Sequence, residues 1–120
     1  MTLDEIRTYC RNLKGSREDF PFGSETLVLK IGSKMFALIP LDAKDLSINL
    51  KGDPFLNEEW RTQFNAVKPG YHMNKAHWNT VDPNDDIPDE IVYRMIDHSY
   101  QLVFESLPKT EKTSILDRSI

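Results

Sequence analysis

A chain of 120 residues, 39% of them hydrophobic, is long enough to bury one core and too short for two. Its formal net charge of -4 excludes the uniformly basic surface of a protein that coats nucleic acid, and its single cysteine excludes both an internal disulfide and a cysteine-pair metal site. No apolar run approaches the ~18 residues of a membrane span and the acidic start "MTLDEIRTYC" is unlike a signal peptide, so a reduced, cytoplasmic protein with no membrane association is expected.

"TLDEIRTYCRNL" spaces Leu3, Ile6, Cys10 and Leu13 by threes and fours, and Thr2 with Glu5 fits a capping box. A first helix is therefore predicted up to Gly15, with Cys10 in the core. "SREDFPFG" reads as a loop, because Pro21 and Gly23 both disfavour helix. "TLVLKIGSKMFALIPL" is two apolar runs split by Gly32 and Ser33, the pattern of a tight hairpin. "DLSINLK" alternates Leu46, Ile48 and Leu50 against polar neighbours, which predicts a third strand with one wet face.

"DPFLNEEWRTQF" returns to helical spacing through Phe55, Leu56, Trp60 and Phe64, with Asp53 as cap and Pro54 in the first turn. Pro69 and Gly70 force a turn, and "YHMNKAHWNTV" is expected to form a strand pair bending near Asn74 and Lys75. From Pro88 onward Ile91, Val92, Met95, Ile96, Ser99, Leu102, Val103 and Leu107 make a helical stripe that Pro108 stops. The expected order is α-β-β-β-α-β-β-α, an α+β domain over residues 1–108 whose antiparallel sheet is covered by helices, followed by a polar, frayed or loosely docked tail over residues 109–120.

Charge is unevenly spread along the chain. Residues 82–108 hold seven acids against one arginine, whereas residues 68–81, "KPGYHMNKAHWNTV", hold no acid at all. That block offers Lys68 and Lys75 for phosphates, His72, Asn74, His77 and Asn79 for hydrogen bonds, and Tyr71 and Trp78 as flat surfaces for bases or sugars. Lys30 and Lys34 flank the Gly32–Ser33 turn, and Arg7, Arg11 and Lys14 form a stripe on the first helix. Each has a plainer explanation: solvated helix and turn positions for the cations, rings capping the core for Tyr71 and Trp78, and self-bonded turns for the asparagines.

Neither metal nor catalytic chemistry is predicted. His72 and His77 stand five apart, a spacing that suits ligands on neither strand nor helix. "DPNDDIPDE" starts like a calcium loop, but Ile87 replaces the turn glycine and Tyr93 the closing glutamate. Ser99 and Cys10 fall on predicted helices, without a nucleophile elbow or phosphate loop. No catalytic residue, metal ligand or cofactor is assigned.

The stretches "FPFG", "LVLKIGSKMFALI", "PGYHMNKAHWNTV" and "IDHSYQLVFESLPK", in this order, resemble the MmcQ/YjbR family of small bacterial proteins. The resemblance implies a compact fold comparable with CyaY (frataxin)-like and secretion-chaperone-like domains. It also implies a double-wing mode of binding double-stranded DNA, in which strands and their turns lie against the duplex. On that expectation Lys30, Lys34, Lys68, Tyr71, His72, Asn74, Lys75, His77 and Trp78 make the DNA surface of a non-enzymatic module. The alternative is a protein-interaction or ligand-binding module of chaperone-like fold, because the acids of residues 82–97 repel nucleic acid.

Overall fold

The computed structural model describes residues 1–117. Helix α1 (Leu3–Arg11) opens on the capping box anticipated from the sequence: the Glu5 amide donates to Thr2 Oγ1 and the Thr2 amide donates to Glu5 Oε1. Six strands follow in an antiparallel sheet: β1 (Ser16–Asp19), β2 (Thr26–Ile31), β3 (Lys34–Pro40), β4 (Ile48–Lys51), β5 (Val67–Pro69) and β6 (Trp78–Val81). Their spatial order is β1-β2-β3-β4-β6-β5. Helix α2 (Pro54–Gln63) links β4 to β5, and α3 (Asp89–Glu105) and α4 (Lys109–Leu116) close the chain.

This α+β architecture has one strand and one helix more than the order read from the sequence, and the strand pair expected within residues 71–81 is instead β5, which includes Pro69, and β6, joined by the turns of residues 70–77. The segment taken as a loop contains β1, an edge strand of four polar residues held by its ladder to β2 rather than by apolar burial. The segment taken as a tail contains α4, which buries Ile115 in the core; both carboxylate oxygens of its Glu111 grip Ser33, accepting from the amide at 2.6 Å and the hydroxyl at 2.9 Å. Residues 118–120 of that expected tail lie outside the described residues. Phe55, expected on the buried stripe of α2, is 72% exposed; that helix instead turns Asn57 inward and packs Trp60 on the core.

One face of the sheet carries the helices and the main core. Leu27, Leu29 and Ile31 from β2, Ala37 and Ile39 from β3, and Ile48 and Leu50 from β4 meet Ile6 and Cys10 of α1 and Val92, Met95, Ile96 and Val103 of α3. Burial pushes the Cys10 thiol up to about 12, as befits a core position. The β2–β3 hairpin turns on Gly32, whose φ of 59° is open to glycine at little cost.

Past Leu29–Ala37 the register jumps to Lys30–Met35, leaving Phe36 as the extra residue of a β-bulge. The β3–β4 ladder is also short, pairing Ala37 with Leu50 and Leu38 with Asn49. Where these strands part, the buried hydroxyl of Ser99 on α3 donates to Phe36 O at 2.6 Å and accepts from Lys51 N at 3.0 Å. A helix side chain thus satisfies two backbone groups that would otherwise be orphaned in the interior.

Candidate nucleic-acid interface

Strand pleating decides which side chains reach the other face, because successive residues point to opposite sides. The ladders connect Asp19, Val28, Leu38, Asn49, Thr80 and Lys68 into one row across all six strands, and Arg17, Lys30, Lys51 and Trp78 occupy the same side. Among the described residues no helix covers this face. A small second cluster of Val28, Leu38 and Trp78, with Met35 and Met73 against it, is its apolar component.

Two concavities lie on this face. The first, about 370 Å³, holds the side chains of Lys30, Lys34 and Lys51 around Trp78, Met35 and Phe22, with no carboxylate in its lining. Val103 of α3 also belongs to its lining. The second, about 580 Å³, lies beneath Tyr71, His72 and Met73, with Leu38 and Pro40 as walls and Asn49 and Thr80 along its base.

The segment joining β5 to β6 is fixed from within. Gly70 lets it approach β6, since a Cβ there would sit 2.8 Å from Trp78 Cβ. Asn74 Oδ1 accepts from the amides of Ala76 and His77, a side-chain turn that sets the bend. Lys75 Nζ donates to Gly70 O at 3.0 Å. Below, Arg61 of α2 donates to Asn79 Oδ1 at 2.6 Å and to the carbonyls of Lys75 and Trp78. Asn79 Nδ2 in turn donates to Asn57 Oδ1, and Asn57 Nδ2 to the carbonyls of Gly52 and Ala76.

Comparison with known proteins identifies the architecture. The YjbR family model matches residues 11–102. The protein YjbR of Escherichia coli K12 is 33% identical over 116 residues, covering 97% of this chain and 98% of its own length. The chain belongs to the YjbR family. YbdF of Escherichia coli O157:H7 is 38% identical over 99 residues, 80% of this chain and 79% of that protein. In structure, the YjbR domain here overlays the Deinococcus radiodurans protein DR2400 with a TM-score of 0.87 at 38% identity, over 95% of this chain and 87% of that one. A Pseudomonas syringae protein aligns with a TM-score of 0.74 at 26% identity, over 85% and 98%. Both Escherichia coli relatives are described only as uncharacterized proteins, so YjbR membership carries a fold and no activity.

Within this YjbR fold the residues singled out in the sequence fall into three groups. Lys30 and Lys34 meet in the lysine cleft; Lys30 also pairs with Asp19 at 3.1 Å, and Lys34 Nζ donates to Ser106 O at 3.0 Å at the end of α3. Tyr71 and His72 form a tilted ring pair, centroids 4.0 Å apart, at the second cleft. Asn74 and Lys75 are exposed and hydrogen-bonded within their own loop, whereas Trp78 is buried, 8% exposed. Lys68 is exposed on β5, four strand spacings or roughly 19 Å from β2. His77 is exposed, and its amide closes the Asn74 turn.

The cations of α1 lie elsewhere, with Arg7 holding Glu18 through two bonds of 2.7 and 2.8 Å and Lys14 donating to Leu116 O. Sequence reasoning missed Lys51 and Arg17. Alternation along "DLSINLK" already puts Lys51 opposite Leu50, but only the β4–β6 pairing brings it against Trp78. The carboxylate of Asp86 takes the amides of Asn65 and Ala66 at 2.9 and 2.8 Å, which holds it below the usual range, with the nearby Lys68 charge adding to the effect.

Proposed function

We propose that this protein is a cytoplasmic, non-enzymatic DNA-binding module whose helix-free sheet face lies along the phosphates. The observation that carries the reading is the sorting of charge across one sheet. Lys30, Lys51 and Lys68 project from the strands on one side, with Lys34 joining the cleft, Asp19 as the acid of that row and Arg17 donating to Gly32 O at the turn, while Asp89, Glu90, Asp97 and Glu105 ride on α3 behind the other. Such an arrangement steers a polyanion to one face of a molecule whose net charge is negative.

The mode is a variant of the double wing of CyaY-like folds. Glu111 places a carboxylate on the Gly32–Ser33 tip, which disfavours phosphate there and moves contact from the turn to the face. The Asp19–Lys30 pair is partly exposed and so contributes little, and a phosphate can displace it.

Duplex binding measured by fluorescence anisotropy between 50 and 200 mM salt tests the proposal. With three or four phosphates neutralised, log K should fall against log salt with a slope of about -3 to -4, and Lys30→Glu with Lys51→Glu should abolish association. Absence of binding at 50 mM salt would overturn it. A protein-interaction or ligand-binding role without nucleic acid is the second reading, favoured by Phe20, Phe22 and Tyr71 standing exposed. It predicts a partner complex that nuclease treatment leaves intact.

A further inference from the structure

We propose that the second cleft binds a single purine or pyrimidine ring, presented either by a free nucleoside or by an unstacked nucleotide of a strand. Its volume of about 580 Å³ lies within the usual range of small-molecule sites, ~300–1,000 Å³. Leu38 and Met73 supply apolar contact for the faces of a flat ring, and the Tyr71–His72 ring pair stands at the mouth. His72 holds that place with a φ of 61°, a conformation that non-glycine residues rarely adopt.

Hydrogen bonding favours a heterocycle over a plain hydrocarbon. Thr80 Oγ1 accepts from the Tyr71 amide and donates to Asn49 Oδ1 at 2.5 Å, which fixes the Asn49 amide with its oxygen turned to Thr80. Asn49 Nδ2 is then left with a contact to Leu38 O at 3.5 Å, the outer limit of a bond, and remains a donor for an incoming acceptor. The Asp42 carboxylate in the lining supplies an acceptor. A donor and an acceptor around an apolar slot match the edge of a base, while Leu38 and Met73 meet its faces and Tyr71 offers an aromatic surface at the mouth. Lys68, paired with Thr80 on the adjacent strand, is placed for a phosphate attached to that base.

Only the strand-borne source rests on the DNA-binding reading. Titration of the isotope-labelled protein with adenosine, uridine and a short single-stranded oligonucleotide, followed by amide and side-chain NMR shifts, tests the proposal. Saturable shifts at Leu38, Asn49, Met73 and Thr80 are expected. Tyr71→Ala, at an exposed position, should weaken nucleoside binding at least tenfold with the fold unchanged, Asn49→Leu should do the same, and Lys51→Glu should leave it unaltered. Nucleoside binding without oligonucleotide binding supports the cleft and removes its strand-borne source, leaving the duplex reading to its own titration. Duplex binding sensitive to Lys51→Glu, with no shift in the cleft from any of the three probes, leaves the DNA reading and overturns this one.

Discussion

The two faces of the sheet are made from alternate residues of the same strands, yet they are built to different rules. On the helix-covered face, β2 to β4 present aliphatic side chains to α1 and α3, and a buried hydroxyl there, Ser99, is spent on the backbone. On the helix-free face, three buried residues make a minor cluster, and around it lysines, amides, hydroxyls, the Asp19 carboxylate and half-covered methionine and aromatic side chains surround two clefts. Stability is concentrated on the first face and solvent-facing chemistry on the second, so substitutions on the two sides should separate cleanly into those that unfold the protein and those that alter what it binds.

The largest separation is expected from Phe36→Ala. This ring is fully buried and packs edge-on against Tyr100, so its loss should cost about 3–5 kcal/mol in urea unfolding. Ser99→Ala comes next. It strands the Lys51 amide and the Phe36 carbonyl in the interior, for a loss of about 1–3 kcal/mol, and a wild-type midpoint would show that the bridge is dispensable.

At the rim the comparison can be sharpened with pH. The Asp86 carboxylate is lowered by the amides of Asn65 and Ala66, and that of Glu18 by its bonds to Arg7. A folded value below the unfolded one stabilises fully above the ordinary carboxylate range and is lost as pH falls through the folded value. The urea midpoint should therefore drop below pH ~4, by less in Asp86→Asn, and an identical drop in that variant would remove Asp86 from the account. The smallest effect on stability, an almost unchanged urea midpoint, is expected from Asp19→Asn, because solvent screens its pairing with Lys30. The same change frees a cation on the binding face, so duplex affinity should rise; unchanged affinity would place Lys30 outside the contact.

Much of the scaffold was legible because its signals are local. Thr2 and Glu5 cap one helix, Gly32 closes one hairpin, and the stripe from Ile91 to Val103 writes out α3 in its own spacing. What escaped was specified across the chain. "SRED" contains no apolar residue and becomes a strand only because β2 offers it an edge, while α4 is secured by Ile115 and by the grip of Glu111 on a turn 78 positions away. The aromatic and amide residues of 68–81 drew attention as a surface; Trp78 is instead buried against Val28 and Leu38, while Asn74 and Lys75 stay exposed and also bond within their own loop. Lys51 took its place only through the non-local pairing of β4 with β6, which no periodicity within "DLSINLK" encodes.

Ser99 stands in for a missing rung between β3 and β4, and one turn further along the same helix Val103 lines the lysine cleft. One helix therefore serves two clients, the interrupted ladder at Ser99 and the cleft lining at Val103, and any redesign of α3 would have to satisfy both.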